Sequence, residues 1–259
     1  MDSAAIGARI EALRPWFHNL HLPDGSQTAP DHFLGDFPGY KWNELAAVLP
    51  GDLSGAEVLD VGCNAGFYSI ELARRGARVT ALDVNSHYLT QARWAAELFG
   101  LKDRITFRLG QVYDLAHSEA RYDLVLFLGV FYHLRYPLLG LDIVARKTRD
   151  LLAFQTLTMP GSEGSVAEDI DIDDRAALAA PGWPKMAFIE HRLAADPTNW
   201  WAADPAAAEA MLRSTGLRVI ARPGTEMYLC RTDPDALLLW DMNELLAATG
   251  RPGAGHESG

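Results

Sequence analysis

The residues with the clearest chemical meaning form a short motif around position 60. An apolar run ends in Asp60, and a turn that contains Gly62 and Gly66 follows before a helix-forming stretch begins. Glycines in such a turn let the backbone approach a ligand closely, and the start of the helix offers unpaired N–H groups. The turn alone is compatible with nicotinamide or flavin binding, so it predicts a cofactor site without naming the cofactor.

Two carboxylates narrow the chemistry of this site. Asp83 ends the next predicted strand, seventeen positions after Gly66, where a carboxylate is suited to accept both hydroxyls of a ribose. Asp60 would repel a pyrophosphate, but it can help to hold a cationic amino-acid group. The pair therefore favours a cofactor with a ribose and a cationic amino-acid portion.

Polar residues that could act on an acceptor molecule follow the predicted strand Tyr122–Leu128. They are Tyr132 and His133, and the carboxyl end of this strand points at the ligand crevice in an open α/β sheet. His133 could deprotonate a hydroxyl or an amine, since an unperturbed histidine titrates near neutrality. The alternative is that its ring caps the following helix or bonds a backbone carbonyl. Both residues are catalytic candidates.

The N-terminal segment 16–28 is dense in ring and amide side chains. We interpret it as a lid, with His18 and His21 as catalytic candidates and with Trp16 and Asp24 as substrate contacts; the alternative is a packed structural cap. On a helix, His18, His21 and Asp24 would share one face and could hold a metal. A proline and a glycine at positions 23 and 25 indicate a loop instead, so no metal is predicted.

A third candidate region is the segment 158–204, which is rich in Pro, Gly, acidic residues and Trp. Near its end, Asn199 and Trp200 could wall an acceptor pocket, and His191 offers another base. Adjacent tryptophans also serve packing, so that alternative stays open. The acidic residues at 169–174 would repel RNA.

These motifs lie on a regular alternation of strands and helices. The predicted strands are Glu57–Val61, Arg78–Asp83, Arg104–Leu109, Tyr122–Leu128 and Leu151–Leu157, and the helices between them are Phe67–Arg75, Ser86–Phe99 and Leu138–Thr148. Such alternation implies right-handed βαβ units and a parallel sheet. A helix, an antiparallel hairpin and a terminal helix follow, at Asp204–Ser214, Leu217–Ala221 with Met227–Arg231, and Asp235–Thr249. Residues 1–50 show no sustained rhythm.

Composition excludes several classes of protein. The 259 residues include 23 Lys+Arg and 34 Asp+Glu, a net charge of −11, which argues against a broad nucleic-acid footprint. No apolar run approaches the roughly 18–20 residues that cross a bilayer, and the N-terminus does not look like a signal peptide. Two cysteines, Cys63 and Cys230, make no disulfide framework. The expected location is the cytoplasm, and the oligomeric state cannot be read from the sequence.

The motif from Val58 to Phe67 resembles the first motif of class I S-adenosylmethionine-dependent methyltransferases, which runs D-x-G-x-G-x-G. Asn64 replaces the middle glycine, and asparagine also reaches left-handed backbone angles. The resemblance implies S-adenosyl-L-methionine as the cofactor and a Rossmann-like, seven-stranded α/β fold, mostly parallel with an antiparallel last strand. It also implies that the glycine turn takes the methionine part, Asp83 the ribose, and the residues after the third strand the adenine. The cofactor-binding residues are then Asp60, Gly62, Cys63, Asn64, Gly66, Phe67, Asp83, Val84, Gln111, Val112 and Leu128.

Two further stretches are similar to a narrower branch, the tRNA wobble-uridine methyl- and carboxymethyltransferases. Residues 127–138 resemble the segment after the fourth strand of those enzymes, and Lys41-Trp42 resembles their Lys-Trp step, so Trp42 joins the substrate candidates. The carboxymethyl enzymes use a carboxylated cofactor, whose extra carboxylate needs a Tyr and cations. Tyr132 matches the Tyr, but the region 15–42 offers only Lys41 as a cation. Because these cations are missing, we expect ordinary S-adenosylmethionine and methyl transfer instead of the carboxylated cofactor.

The expected organisation is an N-terminal cap or lid at 1–50, a methyltransferase domain at 51–249 with the insertion 158–204 over the active site, and a disordered tail at 250–259. The expected reaction is methyl transfer to an O or N atom of a small polar metabolite. A tRNA wobble-uridine enzyme is the first alternative and predicts a basic surface beside the crevice. It is disfavoured because the chain has only four lysines. A non-catalytic cofactor-binding protein is the second alternative and predicts a closed crevice.

Overall fold

The central sheet has seven strands, in a computed structural model that describes residues 2–161, 166, 169–236 and 242–251. The strands are β1 (Glu57–Val61), β2 (Arg78–Asp83), β3 (Ile105–Leu109), β4 (Tyr122–Leu128), β5 (Thr148–Gln155), β8 (Leu217–Gly224) and β9 (Met227–Thr232). Their order is β3-β2-β1-β4-β5-β9-β8, and β1 to β5 are parallel. β9 runs antiparallel to both of its neighbours. The predicted parallel sheet with an antiparallel closing pair is confirmed.

Helices cover both faces of the sheet and supply its crossovers. They are α3 (Phe67–Arg74), α4 (Ser86–Leu98), α5 (Pro137–Lys147) and α6 (Pro205–Ser214), and a 3-10 helix spans Val112–His117. β1 is buried from Val58 onward, as expected of a central parallel strand with helices on both sides. Because β1 to β5 are parallel, their carboxyl ends lie at the same edge of the sheet.

Several predicted boundaries were wrong, most of them by one residue and the end of β8 by three, since that strand continues to Gly224 instead of ending at Ala221. The helix expected at Leu138–Thr148 is α5, which begins with Pro137 in its first turn and ends at Lys147, since proline is well suited to the start of a helix. The strand expected at Leu151–Leu157 begins at Thr148 and ends at Gln155, because Thr148 already pairs with Tyr122 of β4. The 3-10 helix at Val112–His117 was not predicted.

The N-terminal fifty residues contain two helices that the sequence pattern did not reveal, α1 (Ser3–Ala12) and α2 (Phe37–Ala46). The Asp2 carboxylate caps α1, and that helix buries only Ile6 and Ile10, which is too sparse a pattern to recognise. The first turn of α2 contains Pro38 and Gly39, a pair that is also typical of a turn, so the sequence did not distinguish the two. Between the two helices the chain is a loop, as the proline and glycine at 23 and 25 indicated.

The two ends of the insertion 158–204 lie next to each other. Thr158 bridges Ala203 in parallel, and between them lie a short 3-10 helix (Arg175–Ala179) and a two-stranded sheet of β6 (Met186–Phe188) and β7 (Trp201–Ala203). The terminal helix expected at Asp235–Thr249 is α7 (Met242–Ala248); the expected start was wrong, since Asp235 lies in a turn, and residues 237–241 lie outside the described residues. Of the expected disordered tail, residues 252–259 lie outside them too.

Candidate functional site

The turn between β1 and α3 is an open cradle of backbone. Gly62 and Gly66 have φ angles of 76° and 84°, and Asn64 reaches 51° in place of a glycine. A side-chain carbon at Gly62 would clash with Val130, which follows β4. The turn is fixed to the sheet because the N–H groups of Gly62 and Cys63 both donate to the carbonyl of Leu82. Position 62 therefore requires glycine, both for its φ angle and because Val130 packs directly against the backbone there.

Asp83 joins this turn to the end of β2. Its Oδ2 accepts the N–H of Asn64 at 2.8 Å and its Oδ1 accepts the N–H of Asn85 at 2.8 Å. Burial raises the pKa of Asp83, and these backbone hydrogen bonds partly offset the increase. A carboxylate has about four acceptor sites, so lone pairs remain for the hydroxyls of a ribose.

Asp60 is a buried carboxylate under the same turn. It is 2% exposed, and Oγ of Ser69 on α3 donates to its Oδ2 at 2.6 Å. Burial raises the pKa of Asp60 to about 7, and the negative charge of Asp83 adds to the increase. A buried acid with a pKa near neutrality is held in its charged form most easily when a cation is bound nearby.

The other predicted cofactor residues line the same edge of the sheet. Val112 is buried at the start of the 3-10 helix, where the Asp114 carboxylate accepts the N–H of Gln111 at 2.7 Å. Leu128 is partly buried at the end of β4 and Val84 is exposed after β2. Cys63 and Phe67 are buried, and burial raises the pKa of the Cys63 thiol. The glycine cradle, the ribose-type carboxylate and the buried acid fit a nucleoside with a cationic amino-acid portion, as in S-adenosylmethionine.

Tyr132 and His133 lie directly after β4, next to the cradle. Burial raises the pKa of Tyr132 to about 12, with a contribution from the charges of Glu226 and Asp196. His133 Nδ1 lies 3.1 Å from the carbonyl oxygen of Thr198 and 2.9 Å from its Oγ1. A carbonyl only accepts, so Nδ1 of the neutral ring carries the proton and Nε2 keeps a lone pair. The ring thus bonds a backbone carbonyl and still offers one basic nitrogen.

Three polar residues beside Tyr132 were not singled out as site residues by sequence reasoning. Gln155 ends β5, Glu226 lies in the two-residue turn between β8 and β9, and Lys41 is in α2. Gln155 Nε2 donates to Glu226 Oε2 at 3.0 Å, and the charge of Glu226 acts on Lys41. Gln155 and Glu226 are far apart in the chain, and only the strand order places them together, so no local motif could have found them. Lys41 belongs to the Lys41-Trp42 step that the sequence shows.

The predicted N-terminal contacts divide into packing and surface residues. Trp16 is buried against Trp94, and its Nε1 donates to the carbonyl of Ile10 at 2.8 Å. Trp42 is buried against Tyr68 and joins α2 to α3. Asp24 is exposed, and its carboxylate accepts both the N–H and the hydroxyl of Ser26.

The two N-terminal histidines lie in different surroundings. His18 is 5% exposed, its ring packs edge-on against Phe67 and Tyr68, and its Nδ1 has no hydrogen-bond partner in the described structure. Burial lowers the pKa of His18 to about 3, which makes it a weak base. His21 is half-exposed, 2.8 Å from Asp36, and both line a cavity of about 510 Å³ between α2 and α3.

The insertion is tied to the segment after β4. The N–H of Trp200 donates to the carbonyl of Tyr132 at 2.9 Å, while its ring stacks on Phe188. Asn199 is buried, its amide donates to the carbonyl of Leu193, and its Oδ1 has no partner in the described structure. His191 is exposed between β6 and β7 and is not brought to the cradle by any contact within the described residues.

The described residues form neither a metal-binding cluster nor a membrane-spanning helix. No group of three His, Cys, Asp or Glu side chains there is arranged to hold a metal ion. Likewise, no helix in the described part of the chain has both the length and the apolar character needed to cross a membrane.

Comparison with known proteins identifies the domain. A family described as a methyltransferase domain matches residues 58–150. The chain is 29% identical over 167 residues to the tRNA U34 carboxymethyltransferase of Cellvibrio japonicus, which covers 61% of this chain and 48% of that protein. It is 34% identical over 110 residues to the magnesium-protoporphyrin O-methyltransferase of Rhodobacter capsulatus. That match covers 41% of this chain and 47% of that protein. The matches thus span about half the length of these relatives.

Solved structures support the same fold. The N-terminal domain of EvdMO1, crystallised in the presence of SAH and D-fucose, has a TM-score of 0.59 at 22% identity, with 90% of this chain and 97% of that chain covered. The magnesium protoporphyrin IX methyltransferase of Synechocystis PCC 6803, solved with bound SAM, has a TM-score of 0.51 at 18% identity. The match covers 76% of this chain and 78% of that chain. The chain therefore has the α/β fold of these methyltransferases, and its residues 58–150 match a methyltransferase domain.

Proposed function

We propose that this protein is a methyltransferase that transfers the methyl group of S-adenosylmethionine to an O or N atom of a small polar acceptor. The observation that carries the proposal is the polar cluster next to the cradle, where Tyr132, Gln155 and Glu226 converge from three elements. The cap helix α2 and the insertion both contact this cluster. Such a cluster suits a small molecule with hydrogen-bonding groups.

The cofactor side uses the residues of the cradle. Gly62 and Gly66 would let the backbone meet the methionine part, Asp60 would favour its positive charge, and Asp83 would accept hydrogen bonds from the ribose. When bound, S-adenosylmethionine supplies a methyl group that its sulfonium already activates. The protein then contributes mainly by positioning the acceptor and by excluding water.

An acceptor that must lose a proton needs a base, and His133 has the geometry for one. Its Nδ1 is held by Thr198, whose hydroxyl donates in turn to the Asp196 carboxylate at 2.6 Å. This chain fixes the ring and leaves Nε2 free to accept a proton. Tyr132 would hydrogen-bond the acceptor as a neutral phenol, since its raised pKa keeps it protonated. Catalytic roles for His18, His21 and His191 and substrate contacts by Asn199 and Trp200 stay predictions.

The second candidate function is modification of a tRNA wobble uridine, which the match to the carboxymethyltransferase of Cellvibrio japonicus favours. Binding to tRNA requires several phosphate contacts from clustered Lys and Arg. The chain instead carries a net charge of −11, and the insertion 158–204 includes Asp196 and the acidic residues at 169–174. Charge therefore favours the small molecule.

Methyl transfer from radiolabelled S-adenosylmethionine tests the proposal. The purified protein is incubated with a panel of small hydroxyl- and amine-bearing acceptors, D-fucose among them, and in parallel with unmodified total tRNA. We expect label in a small acceptor and a strong loss of rate in His133→Ala, with the exposed His117→Ala as the control. Label in tRNA alone would favour the second candidate, and failure to bind S-adenosylmethionine in calorimetry would overturn both.

A further inference from the structure

A carboxylate outside every recognised motif lies at the edge of the sheet that carries the cofactor cradle. Leu128 at the end of β4 pairs with Gln155 at the end of β5, and Gln155 pairs with Met227 at the start of β9. Glu226 directly precedes Met227. The strand order therefore places Glu226 in line with the carboxyl ends of β4 and β5, on the acceptor side of the cradle.

Neighbouring donors hold the Glu226 carboxylate in place. Gln155 Nε2 donates to Oε2 at 3.0 Å, and the N–H and Oγ1 of Thr158 donate to Oε1 at 3.1 Å and 3.4 Å. Gln155 is 3% exposed, so its amide has little freedom to turn away. Hydrogen bonds from fixed donors stabilise a carboxylate in its charged form.

The groups around Glu226 are continuous with the cradle. A side-chain carbon at Gly129 would lie 3.7 Å from both Gln155 Oε1 and the hydroxyl of Tyr132. Val130, the next residue, occupies the space over Gly62 that a side chain there would need. The polar surface thus runs from the glycine turn through Gly129 and Gln155 to Glu226.

The cation near Glu226 is Lys41, and carboxylates of the protein itself interact with its charge. Burial lowers the pKa of Lys41, and the charges of Glu226 and Glu44 partly restore it. Glu44 lies against Gly224, so α2 packs on the turn that carries Glu226. A lysine that interacts with two internal carboxylates has little free positive charge to offer an anionic ligand.

We propose that Glu226 sets the charge specificity of the acceptor side: it admits neutral or cationic groups and rejects carboxylates, including the extra carboxylate of carboxy-S-adenosylmethionine. This inference rests on the proposed function. A hydroxyl or an amine can donate to the lone pairs that Gln155 and Thr158 leave free, whereas a second carboxylate would face the like charge of a half-buried side chain. The protein is then a methyl transferase and not a carboxymethyl transferase.

Isothermal titration calorimetry with S-adenosylmethionine and with carboxy-S-adenosylmethionine tests this role without measuring turnover. Wild type is compared with Glu226→Gln, which keeps the size of the side chain and removes the charge, and with the control Glu209→Gln on α6, whose carboxylate pairs with Arg222 and Arg213. We expect wild type to prefer S-adenosylmethionine by about tenfold or more, and Glu226→Gln to reduce that preference about tenfold. The control should keep the wild-type preference.

A second variant keeps the test decisive if Glu226→Gln does not fold. Glu226→Ala removes the same charge with a smaller side chain, so it should also reduce the preference for S-adenosylmethionine about tenfold. An unchanged preference in that variant would overturn the proposal, as would a wild type that prefers the carboxylated cofactor. An unchanged preference in Glu226→Gln would also overturn it. Wild type that binds neither cofactor would refute the proposed function, and the proposal with it.

Discussion

Replacing Asp60 with asparagine should stabilise the ligand-free protein at neutral and alkaline pH. Asp60 is 2% exposed, and burial raises its pKa from 3.8 to about 7. An acid with a raised pKa binds its proton more tightly in the folded state than in the unfolded state. Its favourable contribution is therefore complete below pH 3.8 and is lost as the pH rises to about 7.

The magnitude follows from the size of the shift. A shift of about 3 units corresponds to about 4 kcal/mol of unfolding free energy, lost in full once the pH exceeds about 7. Asparagine has nearly the same shape, keeps an oxygen that can accept the Ser69 hydroxyl, and carries no charge. Between about pH 5.5 and about pH 8, wild type should therefore lose about 2 kcal/mol relative to Asp60→Asn.

Urea unfolding at these two pH values, followed by circular dichroism, measures the difference. Asp31→Asn, at an exposed position, serves as the control and should follow wild type. In calorimetry, the affinity of wild type for S-adenosylmethionine should rise up to about pH 7 and then level off, because the ionised carboxylate favours a cation. Asp60→Asn should bind more weakly with no such rise. Parallel unfolding free energies of the two proteins at both pH values would refute the reasoning.

Three further substitutions separate ligand binding from packing. Asp83→Ala should reduce the affinity for S-adenosylmethionine by about 1–3 kcal/mol in calorimetry, since it removes hydrogen bonds to a charged acceptor, and unchanged affinity would contradict its assignment to the ribose. Gly62→Ala should lower the melting temperature and abolish cofactor binding, because its φ is 76° and a side chain would clash with Val130; normal binding would show that the cradle does not meet the ligand. Trp16→Phe should destabilise the protein by about 1–2 kcal/mol in urea unfolding through loss of the bond to Ile10, while cofactor affinity stays unchanged. Reduced affinity there would instead support a ligand contact.

The part of the fold that could be predicted is the part with local, repeated signals. The strands Glu57–Val61, Arg78–Asp83 and Tyr122–Leu128 were predicted at their observed bounds, because each is a short apolar run followed by a turn and a helix. The helices of the N-terminal region gave no comparable pattern, since α1 buries a single pair of isoleucines and the first turn of α2 contains a proline and a glycine.

The same distinction applies to the candidate site. Asp60, Gly62 and Asp83 stand out in the sequence because one continuous β1–turn–α3–β2 unit carries all three. Glu226 and Gln155 meet only because β9 returns antiparallel beside β5, and this pairing places residues 71 positions apart in contact. Cross-strand register over such a separation is a property of the whole sheet, so no local motif reports it.

The cofactor residues and the residues near Glu226 lie in different parts of the chain, and this limits how far similarity can be used to infer the acceptor. The family match covers residues 58–150, which include the cradle, Tyr132 and His133. Lys41 and Glu226 both lie outside that range, as does the insertion. Residues that activate or bind a common cofactor can stay alike among enzymes whose acceptors differ, since the acceptor meets other parts of the protein. Shared cofactor motifs with a tRNA enzyme therefore do not imply a shared acceptor, and the charge around Glu226 is the more direct guide.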